Sequence, residues 1–362
     1  MMSSVGRCDM VQEKPRYAWI DVLKFLGIWM VYIQHTKCSG HLMGVIPAVL
    51  PLFFFASGFF IEHKMDKPFL SFAWEKFRQL MFPYYFFLLL FFVPMWLVPG
   101  YHPDLEKCVL QGLLGMRDRV FVAALWFLPC LLLMLLLYYV LRRSTRNLSR
   151  RNGRLVMLLA GFLLWGVSLV LIPRLPCSLP FSAEWALRYF LFFVLGAILF
   201  PFLKDFKYQT ASRPVRLTVL VTGIAAVFLL VCGVANQKYF WRLYPPAGAT
   251  RLLIDCVAFG RDFLLFYAFL IVSRLLENLR MPAEVGRWTL LLCGTEQLSS
   301  LLLRSFVEML GLHVRLTTPM DAVLWGTVCL LFSAYVLIPG LVNAFPFLNG
   351  GKRMIRAVPP SA

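Results

Sequence analysis

Charged residues are scarce in this chain. Only 15% of its 362 residues are Asp, Glu, Lys or Arg, where a soluble domain carries about 25%. Acids are scarcer than bases, with 18 Asp and Glu against 36 Lys and Arg, a formal net charge of +18. The nine cysteines contain no CxxC pair, which removes the common zinc and thioredoxin-like signatures, and no metal site is expected. Cysteines within apolar runs read as buried thiols; Cys38, Cys108 and Cys177 fall between such runs. No internal repeat or low-complexity stretch stands out, which argues against a solenoid and gives no sign of the matched halves of many transporters. No polar stretch is long enough to fold as a soluble domain of its own.

What the chain has is apolar surface. Hydrophobic residues make up 60% of it, beyond the roughly 45–50% of soluble domains. One core cannot absorb the surplus, because soluble chains of this size split into domains with polar surfaces. A helix that spans the hydrocarbon layer needs about 20 mainly apolar residues. Ten such runs are legible: Tyr17–Thr36, Leu42–Ile61, Met81–Val98, Val120–Leu141, Leu155–Ile172, Trp185–Leu203, Leu217–Ala235, Leu252–Ser273, Thr289–Leu310 and Asp321–Val342. Most are too long for barrel strands and few alternate as strands must. Helices satisfy their own backbone groups and so suit lipid. The expected fold is all-α, a polytopic transmembrane bundle of about ten helices.

Basic residues orient it. With the N-terminus inside, the inside segments hold most of the Lys and Arg, among them the cluster Arg142, Arg143, Arg146, Arg150, Arg151 and Arg154. This is the positive-inside pattern, and it puts both termini in the cytoplasm. The organisation expected is a cytoplasmic segment 1–16, a membrane domain 17–342 and a cytoplasmic tail 343–362. The first sixteen residues are polar and lead into a full-length span without a small-residue cleavage site, which reads as a signal anchor. The net positive charge is spread over alternate short loops with no recognition fold around it, so no nucleic-acid partner is expected; the bilayer and its anionic headgroups account for it. The longest outside connections, Pro99–Arg119 and Asn236–Arg251, either cover a site or simply join helices.

Ionisable residues inside spans are costly and mark function by default. The first span carries Asp21, Lys24 and His35. Eleven residues separate Lys24 from His35, three helical turns plus about 20°, so both lie on one face about 16 Å apart. Asp21, one turn before Lys24, is placed to pair with it. His35 is the one histidine well inside a span, and a neutral imidazole accepts a proton near pH 7. The eighth span carries Asp255, Arg261 and Asp262, with Arg251 one turn before Asp255; the ninth carries Glu296, Arg304 and Glu308. Pairing within the bundle and a polar cavity would use the same residues. Phe53-Phe54-Phe55 and Tyr84-Tyr85-Phe86-Phe87 read as packing or lipid-facing residues, and Ser57-Gly58 as a point of close helix approach.

Asp21-Val22-Leu23-Lys24-Phe25-Leu26-Gly27-Ile28, followed by His35, resembles the first helix of the acyltransferase-3 family of membrane O-acyltransferases, in which a basic residue precedes a histidine by eleven positions. Pro51-Leu52-Phe53-Phe54-Phe55-Ala56-Ser57-Gly58-Phe59 is similar to the family's second helix. Lys76-Phe77-Arg78-Gln79-Leu80-Met81-Phe82-Pro83-Tyr84 is similar to its basic loop entering the third. Leu125-Trp126-Phe127-Leu128-Pro129 and Gly286-Arg287-Trp288-Thr289-Leu290 resemble its fourth-helix motif and the start of its penultimate helix. The matches fall in family order.

The resemblance implies transfer of an acyl group, usually acetyl, from cytoplasmic acetyl-CoA or another acyl-CoA to a hydroxyl of a carbohydrate or glycolipid, with no permanently bound cofactor. O-acetylation of an exopolysaccharide or another cell-envelope glycan at a bacterial plasma membrane is the activity it implies. It matches His35 to the family's essential histidine, Lys24 to its basic partner, and Lys76 and Arg78 to its basic loop. On the chemistry of these groups His35 is expected as the catalytic general base, and Lys76 and Arg78 as the residues holding the donor's phosphates. Asp21, Asp255 and Glu296 remain as polar-site residues, a carboxylate among them orienting the imidazole or binding sugar hydroxyls. Two departures stand out. Gln79 occupies the second basic position of the family's Arg-x-x-Arg pattern, and Glu296 stands where many members place a histidine. A transporter of a polar or lipid-linked sugar, or a member that binds without catalysis, is the alternative.

Overall fold

The computed structural model describes residues 17–36, 49–97, 105–117, 124–206, 210–225 and 249–349. The segment 1–16, Cys38, most of Asn236–Arg251 and the tail beyond residue 349 lie outside the described residues. In chain order the helices are α1 (Ala18–His35), α2 (Val49–Gly58), α3 (Phe69–Leu97), α4 (Leu105–Leu114), α5 (Phe127–Ser144), α6 (Arg150–Leu171), α7 (Ala183–Leu203), α8 (213–225), α9 (Ala249–Leu275), α10 (Arg280–Gly286), α11 (Thr289–Met309), α12 (Pro319–Phe332) and α13 (Ile338–Ala344). No strand occurs among the described residues, so the bundle is all-α as expected. Five described helical segments are long and apolar enough to cross a membrane: Phe127–Ser144, Arg150–Arg174, Pro180–Leu203, Ile254–Leu275 and Pro319–Ala344.

Local sequence sets the helix ends. Ser149 starts α6 by accepting the Asn152 amide at 3.2 Å. Thr318 and Asp321 form a reciprocal capping box at the head of α12, with Pro319 in the first turn, where a missing N–H costs nothing. Between α12 and α13 the helix widens to a π turn, Ser333–Leu337. Pro339 follows it. A proline ring clashes with the carbonyl four residues back, and a π turn gives that carbonyl room.

Two elements depart from the sequence reading. The segment holding Lys76 and Arg78, expected as a loop, is the first part of α3. Its run Phe69–Gln79 contains no Gly or Pro, and Pro68 stands immediately before it, a favourable helix start. The outside connection Pro99–Arg119 contains a helix of its own, α4.

The helix α1 lies at the centre, packed on α2, α9, α10, α11 and α12. Trp19, Val22, Leu23, Ile28 and Tyr32 are buried along it. The neighbouring α2 is apolar all round, as a helix buried on every side must be. Phe53, Phe54 and Phe55 are all buried; Phe54 meets Phe127 and Tyr189, and Phe55 meets Phe266. They pack within the bundle and do not face lipid. The close approach expected at Ser57-Gly58 is to α7: a methyl group on Gly58 would lie 2.2 Å from the Phe193 carbonyl oxygen, and one on Gly196 1.9 Å from that of Phe55. By contrast α6 exposes Leu155, Leu159, Phe162, Leu163, Val167 and Val170, an apolar face suited to lipid.

Candidate functional site

His35 is the last residue of α1. Its Nδ1 lies 2.7 Å from Oε2 of Glu296 on α11. Both atoms are buried and the described residues give neither another polar partner; the 2.7 Å separation is within hydrogen-bond distance. The register is set one turn earlier. The buried Tyr32 hydroxyl donates to the Leu292 carbonyl at 3.0 Å and lies 3.4 Å from Thr295 Oγ1. This fixes α11 against α1 so that Glu296, the residue after Thr295, meets His35, three residues after Tyr32. Glu296 is buried and the His35 side chain is 25% exposed. A carboxylate that accepts from Nδ1 leaves Nε2 as the basic nitrogen and stabilises the ring when it becomes charged. A pair so arranged can act as an oriented general base.

His35 lines a cavity of about 250 Å³ together with Gln34, Phe53, Arg117, Trp126 and Cys293. Gln34, Leu50 and Arg117 also line a second cavity of about 420 Å³, so the two chambers adjoin. The second is walled by Trp165, Trp185 and Tyr189 and by two ion pairs, Arg188–Asp255 at 2.6 Å and Arg261–Asp262 at 3.0 Å. Together the chambers reach the roughly 300–1,000 Å³ of small-molecule sites, whose apolar walls carry a few placed polar groups. Asp255 and Asp262 share this chamber, as their spacing suggests, but Asp255 pairs with Arg188 of α7 and does not orient His35. The side chain of Arg251 lies outside the described residues. Of the ninth-span ions only Glu296 is buried; Arg304 lies over the Trp325 ring and Glu308 is exposed.

The residues assigned to the donor sit toward the other end of the bundle. Lys24 Nζ is 4.0 Å from Asp21 Oδ1, the pairing their spacing suggested, three turns along α1 from His35. Lys76 is only 6% exposed and donates to Gln79 Oε1 at 3.1 Å. Burial first, and then the neighbouring Lys64, holds its ammonium down to about 7. Gln79, standing where a second base was expected, is the acceptor that Lys76 uses. Arg78 is exposed, so the two do not converge. Glu75 bonds Lys67 and lies 3.7 Å from Lys64; the bond from Lys67 lowers its carboxyl below the ordinary range.

Sequence reasoning treated the arginines at the end of α5 and the start of α6 as a topology signal only. Arg142, Arg150, Arg154 and Lys204 line one cavity of about 220 Å³. Arg142, Arg143 and Arg146 line another of about 300 Å³. Glu62 binds Arg142 at 3.2 Å and accepts from the Tyr138 hydroxyl. Arg117, on the wall of both chambers near His35, was missed altogether, because an arginine in a connection carries no spacing signal.

Residues 17–294, more than half of the chain, match the family model of acyltransferase 3, described as an acyltransferase domain. No curated protein and no solved structure matches the chain. The matched stretch carries the basic residue and histidine of α1 and ends two residues before Glu296. With helices long and apolar enough to span a bilayer around an oriented histidine, and the family model covering most of its length, the chain belongs to the acyltransferase-3 family and is a membrane acyltransferase.

Proposed function

We propose that the chain moves an acyl group, acetyl in the simplest case, from a cytoplasmic acyl-CoA to a hydroxyl of a cell-surface or exported carbohydrate at a bacterial plasma membrane. The observation that carries this reading is the 2.7 Å contact between His35 and Glu296 on the wall of a cavity. The acceptor hydroxyl gives its proton to His35 Nε2 as its oxygen attacks the thioester carbonyl. The carbon–sulfur bond then breaks, and the coenzyme A thiolate leaves with the proton held on the imidazole. Glu296 holds the ring in register and stabilises its charged form.

The donor enters from the end where the basic residues gather. Lys76 and Arg78, in the family's basic segment, are the residues proposed to hold the donor's phosphates, and the arginine-lined cavities at this end add guanidinium groups that suit phosphate oxygens. The acceptor occupies the chamber of Trp165, Trp185 and Tyr189, where aromatic faces cover apolar sugar surface and the ion pairs meet hydroxyls. Lys24, three turns along α1 from His35, steers the donor. The test is transfer of radiolabel from acetyl-CoA in membranes of a glycan-producing host, at matched expression. Wild type is expected to label a glycan and His35→Ala to label none; equal labelling by both would remove His35 from the chemistry.

A further inference from the structure

Among the described residues, each of the chamber's arginines but one has an acid. Arg188 pairs with Asp255 and Arg261 with Asp262. Arg117 has no carboxylate partner among the described residues. It rests in the angle between two indoles instead, its guanidinium carbon 3.9 Å from the Trp185 ring centre and 4.8 Å from that of Trp126. The two ring centres are 6.3 Å apart, so seen from the guanidinium they stand roughly at right angles: the indoles flank it without sandwiching it. A guanidinium held this way still has N–H groups to offer the cavity, and these match a carboxylate or phosphate in a two-point contact.

The position is built and not incidental. Gly115 ends α4 with φ +64°, and its carbonyl accepts from Ser182 Oγ at 2.9 Å. Phe181 and Ser182 hold φ of 56° and 50°, a left-handed conformation that side chains rarely adopt and that surrounding contacts must enforce. Glu184 ties down the same turn by accepting from the Ser178 hydroxyl and, at 3.0 Å, from the Leu179 amide. Three residues after Ser182 comes Trp185, the ring on which Arg117 rests. A partly buried cation without an acid is costly unless a ligand supplies the counter-charge.

We infer that Arg117, at the junction of the His35 chamber and the aromatic chamber, recognises an oxyanion on the acceptor, so that the carbohydrate this enzyme acylates is acidic, bearing a carboxylate or a phosphate. The inference rests on the acyltransferase reading above and names the class of its acceptor.

The test is direct binding to the whole protein in nanodiscs of zwitterionic lipid, read by saturation-transfer NMR. The probes are methyl glucuronide, glucose 1-phosphate and methyl glucoside. At least one acidic sugar is expected to bind about tenfold tighter than the neutral one. That advantage disappears in Arg117→Gln and survives in part in Arg117→Lys, which also separates loss of charge from loss of fold. A gain for the glucuronide alone names the carboxylate as the group read, and a gain for the phosphate alone names the phosphate. Equal binding of all three sugars, or an advantage that persists in Arg117→Gln, overturns the acidic acceptor and leaves the carbohydrate reading standing. Failure of wild type to bind any of them overturns both.

Discussion

The Nδ1 of His35 and Oε2 of Glu296 lie 2.7 Å apart across the seam between α1 and α11. In the proposed mechanism that contact decides which imidazole nitrogen is basic. Glu296→Gln keeps the shape but can present an amide N–H to Nδ1, which favours the wrong tautomer. Turnover is expected to fall by about 10²–10⁴-fold, as when the orienting acid of a catalytic triad is lost. Glu296→Ala should fall as far, and neither should weaken donor binding. Single-turnover acyl transfer measured beside coenzyme A binding checks this; a loss confined to binding would sink the role given to Glu296.

How far the sequence reached depends on the range of each interaction. The helices follow from runs of apolar residues, and Ser57-Gly58 marked the α2–α7 approach because small residues are a local signal. His35 stood out by its isolation in an apolar run. The pairing Lys24–Asp21 followed from spacing on one helix. His35–Glu296 did not, because it needs α1 and α11 side by side, and the Tyr32–Leu292 bond that sets their register spans 260 residues. The chamber shared by Asp255 and Asp262 was legible as one helix face, but Arg188, which neutralises Asp255, comes from α7. Arg117 was invisible for the same reason. Its environment is made by Trp126 and Trp185, brought together only by the fold.

Tyr32→Phe removes the hydroxyl that ties α1 to α11 and leaves the ring in place. Loss of one buried hydrogen bond costs about 0.5–1.5 kcal/mol. The thermal midpoint in detergent should fall by a few degrees at most. The sharper expectation is catalytic, because a looser seam lets Glu296 drift from His35 and lowers turnover while acyl-CoA affinity is unchanged. Unchanged turnover would show that the register does not depend on this bond.

Gly196→Ala probes the α2–α7 contact, where the added methyl would lie 1.9 Å from the Phe55 carbonyl oxygen. The obstacle is backbone, so relief requires the helices to part, and overpacking of this kind costs about 1–3 kcal/mol. The variant should unfold at lower temperature. Gly166→Ala, where nothing lies within 4 Å of the added methyl, should match wild type or gain slightly from its better helix propensity. Equal midpoints for the two variants would mean that α2 and α7 yield without cost.

If Lys76 holds the donor's phosphates as proposed, donor binding depends on pH in a defined direction. Its ammonium is held down to about 7, by burial first and then by Lys64, from an ordinary value near 10.4. Below about 7 it is charged in both the folded and the unfolded chain, so the cost of burying that charge is fully present. As pH rises from about 7 toward its ordinary range the folded protein sheds the proton first, and stability rises across that window. Lys76→Met, which has no charge to bury, should therefore stabilise the protein most at pH 6 and progressively less above pH 8. Donor binding runs the other way. If Lys76 contacts phosphate, affinity falls as pH rises through about 7, and binding at pH 8 draws a proton onto the lysine. Calorimetry of coenzyme A binding in two buffers of different ionisation enthalpy reads that uptake. It should vanish in Lys76→Met, and proton uptake that persists in the variant would move the phosphate contact to another group.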